Sequence, residues 1–232
     1  MPRHLLREID EVKRQILSLS AIVEESVRLA VQAIETRDSR LAAEVVARDG
    51  EIDRLEMEVE EACLKILALY QPVAIDLRFI VSVLKINNDL ERVGDLAVNI
   101  AERAAYLSGR PEIGIPFDFG EICRCALEML RQSLDALMSM DSELAYGVFA
   151  CDDRVDAINR EMYGRITAAI HRDPQKTDIL LSYLTATRRL ERVADYATNI
   201  AEDVIYMVEG QIVRHRGLSA EKEKPIPGGQ GE

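Results

Sequence analysis

The chain has 232 residues, with 48% hydrophobic and 30% charged side chains, no Trp, a net charge of -12 and a pI of about 4.9. That length and apolar content suit one elongated domain or two small halves with an aliphatic core, and the lack of bulky aromatics favours helices. An acidic surface repels phosphate backbones, so nucleic-acid binding is excluded, while cations and basic protein surfaces remain as partners. No apolar run approaches the ~20 residues of a membrane span, and the charged N-terminus MPRHLLREIDEVKRQ has no apolar signal region. These features predict a cytoplasmic chain that meets a membrane only indirectly, through partners. Cys63, Cys123, Cys125 and Cys151 match no zinc pattern and are expected as reduced thiols.

Taken in order, the first predicted helix runs from about Arg3 to Thr36. Its apolar residues Leu5, Ile9, Val12, Ile16, Leu19, Val23, Val27, Ala30 and Ile34 recur every three or four positions, as one buried stripe requires. Asp38 is a good N-cap for a second helix that continues to about Leu69, with the stripe Leu41, Val45, Ile52, Leu55, Val59, Ala62, Ile66 and Leu69. Gln71-Pro72 breaks it, and a third helix spans about Asp76 to Leu107. The segment SGRPEIGIPF at 108–117 holds two Pro and two Gly and marks the boundary between halves.

A fourth helix starts near Asp118, Asp141 caps a fifth, and Asp173-Pro174 opens a sixth that ends at about Glu209. The segment beyond lacks an apolar period and predicts an unstructured tail over 216–232. The expected fold class is all-α: six long helices in two tandem homologous three-helix bundles, over 1–110 and 117–215, with short turns favouring antiparallel neighbours.

The two halves repeat each other. Residues 91–102 read ERVGDLAVNIAE and residues 191–202 read ERVADYATNIAE, identical at nine of twelve positions. Residues 38–53 and 141–156 match at eight of sixteen. Packing alone would keep the apolar positions and release the polar ones, so retained carboxylates point to a duplicated site as well as a duplicated fold.

Helical geometry puts these polar residues on one face. Measured from Glu91, Asp95 lies at about 40°, Asn99 at about 80° and Glu102 at about 20°, while Val93, Leu96 and Ile100 point roughly the other way. Glu191, Asp195, Asn199 and Glu202 repeat the pattern. On the second helix Asp49, Asp53, Glu56 and Glu60 share a face, whereas the fifth keeps Asp152 and Asp156 and replaces the other two acids with Asn159 and Tyr163.

A solvated acidic face is one reading, with Arg92 paired to Asp95 and Arg192 to Asp195. Against it, like charges at i,i+4 destabilise a helix by about 0.2–0.5 kcal/mol per pair, and here they recur. If the second and third helices are neighbours, their acids converge, and a cation would offset the repulsion. The donors are all oxygen, which suits Mg²⁺, Mn²⁺ or iron. His4, His171 and His215 form no Glu-x-x-His pair, so a ferritin-type di-iron oxidase is disfavoured. No P-loop, G-x-S-x-G or dinucleotide fingerprint occurs, and Arg188-Arg189 reads as ordinary surface.

The segments QPVAIDLR (71–78), NDLERVGDLAVNIAE (88–102) and RLERVADYATNIAEDVIY (189–206) resemble the PhoU family of phosphate-uptake regulators, over about residues 3–215. The resemblance implies a cytoplasmic, usually dimeric, non-enzymatic protein. It implies a negative regulator of the phosphate-starvation response that links the ATPase subunit of a phosphate ABC transporter to a sensor histidine kinase. It also implies metal ions on E/D-x-x-x-D motifs. By position these are Asp49/Asp53 with Glu91/Asp95, and Asp152/Asp156 with Glu191/Asp195, extended by Asn99, Glu102, Asn199 and Glu202. The second half departs from QPVAIDLR with HRDPQKTDIL. A carboxylate-cluster metalloenzyme and a metal-free helical scaffold are the alternatives.

Overall fold

The computed structural model describes residues 3–114 and 118–211. The predicted tail over 216–232 lies outside the described residues. Helices α1 (Arg3–Thr36), α2 (Ser39–Tyr70), α3 (Ala74–Ser108), α4 (Phe119–Ser139), α5 (Ser142–Arg172) and α6 (Thr177–Glu209) make an all-α fold, with no strand among the described residues. Asp38 accepts from Arg40 N at 2.7 Å and Leu41 N at 3.3 Å, and Asp141 accepts from Leu144 N at 3.1 Å. Each carboxylate satisfies amides that the first helical turn leaves unbonded.

The start of the sixth helix is less direct than expected. A 3-10 turn, Pro174–Lys176, follows Asp173 and α6 begins at Thr177; the Asp173 carboxylate is held instead by Lys176 Nζ at 3.0 Å. The α2 stripe also needs a correction. Leu69 is 66% exposed, and the half-buried Tyr70 packs on the core in its place. The stripe advances from Ile66 by four residues rather than three, because 3.6 residues per turn carries the buried side forward.

The helices α1, α2 and α3 pack together, as do α4, α5 and α6. The two groups are then joined by α3 against α6 and by α1 against α4. Among the described residues α2 and α5 do not meet, so the order across the molecule is α2–α3–α6–α5, with α1 and α4 packed beside it. The aliphatic stripes of both halves merge into one continuous core. At the α3–α6 seam Arg78 Nε donates to the Met207 carbonyl at 2.8 Å, Ser82 Oγ to the Asp203 carbonyl at 3.2 Å, and Lys85 Nζ meets Asp203 Oδ1 at 2.7 Å.

Gly94 faces Ile52 across the α2–α3 contact. A Cβ there would lie 3.0 Å from Ile52 Cδ1 and 3.2 Å from its Cγ2. The missing side chain lets the two helices close beside the acidic residues, since Asp49 and Asp53 lie three positions before and one after Ile52, and Glu91 and Asp95 three before and one after Gly94.

Candidate functional site

Val93, Leu96 and Ile100 are buried, so the opposite side of α3 turns Glu91 and Asp95 outward. Packing of α2 on α3 brings Asp49 and Asp53 toward them. The coupling of their charges shows the convergence: burial raises the Asp49 carboxyl above the ordinary carboxylate range, and Asp53 and Asp95 raise it further. Glu91 is likewise raised by burial, then by Asp95, with Asp53 and Glu56 adding to it and Arg92 opposing. Glu56 is raised by burial, Glu60 and Asp53.

Arg92 partly compensates this face. Its Nη1 lies 3.2 Å from Asp95 Oδ2 and its Nε 3.4 Å from Glu91 Oε2. Glu91 Oε2 is nevertheless buried without a hydrogen-bond partner, and so is Asn87 Oδ1, whose amide nitrogen donates to the Glu56 carbonyl at 2.9 Å and to Glu56 Oε1 at 3.1 Å. Buried acceptors without donors are uncommon and costly. Both oxygens stand in the same acidic patch, as a site for a hard cation would have them.

The second half repeats the arrangement between α5 and α6. Asp152 is raised by burial, then by Asp156 and Asp195; Asp195 is raised by burial and Asp156, with Arg192 opposing. Glu191 is raised by burial, Asp195 and Asp156, while Arg188 and a hydrogen bond from Asn159 lower it. Asn159 Oδ1 is buried without a partner. This patch therefore has one amide where the first has a further carboxylate.

The four remaining predicted residues lie further along. Asn99 Nδ2 folds back to the Asp95 carbonyl at 2.7 Å, and Glu102 is exposed. Asn199 and Glu202 border a groove of about 560 Å³ between α3 and α6, shared with Lys85, Asp89 and Asp203. They face the α3–α6 seam rather than Asp152 and Asp156. Asn87 escaped the sequence reading because its counterpart in the second half is Thr187, so the repeat does not flag it; its signal was a polar residue at a core-edge position of α3. Among the described residues no three His, Cys, Asp or Glu side chains stand close enough to enclose one ion.

The PhoU domain matches the chain twice, over residues 16–104 and 119–204. The chain belongs to the PhoU family. It is 37% identical over 220 residues to the phosphate-specific transport system accessory protein PhoU homolog of Pseudomonas aeruginosa, covering 94% of this chain and 90% of that protein. It is 35% identical to the Aquifex aeolicus homolog, covering 94% and 99%, and 30% identical to the Escherichia coli PhoU accessory protein, covering 90% and 87%. The crystal structure of PhoU from Pseudomonas aeruginosa superposes with a TM-score of 0.82 at 36% identity, over 88% of this chain and 99% of that one. The phosphate transport system regulatory protein PhoU from Streptococcus pneumoniae gives 0.79 at 27%, over 90% and 99%. No described helix is long and apolar enough to cross a membrane.

Proposed function

We propose that this chain is a non-catalytic regulator attached to a phosphate-uptake system. The observation that carries the reading is the match of nearly the whole chain, both halves included, to accessory proteins of phosphate-specific transport. In finer terms it acts in the cytoplasm as a negative regulator of the phosphate-starvation response. It is a homodimer that contacts the ATPase subunit of a phosphate ABC transporter and a sensor histidine kinase. Co-purification with each, from cells grown in ample phosphate, tests this. Capture of either partner supports the reading, and capture of neither defeats it.

The two acidic patches are the sites for divalent or iron ions. Asp49, Asp53, Glu91 and Asp95 would hold metal in the first half, and Asp152, Asp156, Glu191 and Asp195 in the second. What supports this is a donor set entirely of hard oxygens, burial and mutual repulsion that raise carboxyls such as Asp49 and Asp152 in both patches, and buried acceptors without a hydrogen-bond donor at Glu91 and Asn159. A bound cation would draw the repelling carboxylates together and fasten α2 to α3 and α5 to α6. Metal analysis of gently purified protein, with melting followed on adding Mn²⁺ or Mg²⁺, tests it. Negligible metal together with unchanged melting refutes the metal role and leaves a plain helical scaffold.

A further inference from the structure

Flanking the repeated phrase on α3 and α6, the duplicated halves differ in charge along the seam. Its contacts set an antiparallel register. Arg78 meets Met207, Lys85 meets Asp203, Arg92 lies near Tyr196, and Tyr106 and Ile179 border one cavity at the far end. The register that sets Lys85 against Asp203 also sets Arg103 against Thr185, with Arg188 and Arg189 about one helical turn further along α6.

The hundred-residue repeat reverses the charge at two of these positions and changes it between neutral and positive at two more. Asp203 corresponds to Arg103, Asp89 to Arg189, Asn88 to Arg188 and Lys85 to Thr185. One end of the seam is therefore the acidic groove bordered by Asp89, Glu202 and Asp203. The opposite end carries three arginines beside Glu102.

At the acidic end the buried charge is matched, since Lys85 holds Asp203 at 2.7 Å. At the arginine end it is not. Among the described residues Arg103, Arg188 and Arg189 form no ion pair and no side-chain hydrogen bond, although Arg188 tempers the Glu191 carboxyl from a greater distance. Arg103 and Arg189 are half-buried, and Arg189 Nε is fully shielded from water without an acceptor. A guanidinium donor in that state lacks the oxygen it would normally bind. In a chain of net charge -12, carboxylates are abundant, yet among the described residues none lies within ion-pair distance of these three side chains.

We propose that Arg103, Arg188 and Arg189 form a binding site for a hydrogen-phosphate oxyanion. Three guanidinium forks that the register sets at one end of the seam, one on α3 and two on α6, suit a tetrahedral ion with several acceptor oxygens better than a planar carboxylate with two. Glu102 occupies the position equivalent to Glu202, which borders the groove at the other end. A carboxylate there accepts the proton of hydrogen phosphate and repels sulfate, which has no proton to offer. The same chemistry is present in free inorganic phosphate and in the terminal phosphoryl group of a nucleotide.

The test uses the purified full chain alone, so its outcome does not depend on whether a transporter or kinase partner binds. Inorganic phosphate, sulfate and metal-free ATP are titrated calorimetrically in low-salt, non-phosphate buffer. Saturable binding of phosphate, or of ATP more tightly than phosphate, is expected, and the stronger of the two identifies the source. Arg103→Ala, Arg188→Ala and Arg189→Ala each weaken it about ten- to a hundredfold, the effect of deleting one charge-assisted contact. The lysine variants, which keep the charge and lose the fork, fall between. Arg131→Ala, on the α1–α4 side, leaves affinity unchanged. If Arg103→Ala fails to fold, the exposed Arg188→Gln supplies the same reading. Absence of phosphate and ATP binding, equal binding of sulfate, or binding that survives the arginine variants overturns the site.

Discussion

Replacing Asp53 by Asn should stabilise the metal-free protein and weaken its response to metal. Asp53 forms no ion pair among the described residues, so the change removes no attraction. It removes repulsion at three places, because Asp53 raises the carboxyls of Asp49, Glu56 and Glu91. Like-charge neighbours cost about 0.2–0.5 kcal/mol each, and solvent screening at a half-exposed face reduces the sum to about 0.5–1 kcal/mol. For a chain of this size that raises Tm by about 1–4 °C. Melting is followed by circular dichroism in chelator, at pH 7 and low salt, then at high salt and near pH 4. The gain should shrink with salt and vanish once the neighbours are protonated. With Mn²⁺ or Mg²⁺ added, wild type should gain more than the variant. A lower Tm for Asp53→Asn in chelator, or a gain indifferent to both salt and pH, would refute the repulsion on which the metal proposal rests.

Asp156→Asn should act in the same direction through Asp152, Glu191 and Asp195, and the two gains should add because α2 and α5 do not touch. The metal-free wild type should gain stability as pH falls from 7. Asp49 and Glu91 in the first patch and Asp152 and Asp195 in the second are raised in the folded state, which therefore binds those protons first; the resulting destabilisation is full above the raised values and gone below the unfolded range near ~4. Thermal melts across that range in chelator check the sign. Lys85→Met removes the ammonium 2.7 Å from the Asp203 carboxylate, whose side chain is 9% exposed, and should destabilise the protein by about 1–4 kcal/mol in urea melts, with part of the loss recovered in Lys85→Met/Asp203→Leu. Burial pushes the Cys63 and Cys123 thiols up to about 12, so neither should react with a thiol reagent in native protein at pH 8, and both should react once it is unfolded.

The six helices were legible because their cues are local. Asp38 and Asp141 act at fixed spacing from the amides they cap, and an aliphatic stripe declares its own period. The pairing of α2 with α3 was legible only conditionally, through acids that make sense if those helices are neighbours. The α3–α6 seam was not legible. Lys85 and Asp203 lie more than a hundred residues apart, and nothing near either one announces the other. Asn199 and Glu202 share a helix face with Glu191 and Asp195, but a face wide enough to hold four residues can border two neighbours, and only the packing shows which residue meets which. Arg188 and Arg189 looked ordinary because their meaning lies in comparison with Asn88 and Asp89 across the repeat.

Because α2 and α5 sit at opposite flanks, each packs on two long helices only, α1 and α3 or α4 and α6, whereas α3 and α6 each pack on three. Amide hydrogen exchange should therefore be fastest on the flanking helices and slowest along the central pair. An ion seated between α2 and α3 would work like a buckle on the looser strap. It would slow exchange on the periphery while leaving the centre almost as it was, so that the occupancy of each half could be displayed to a partner without disturbing the other.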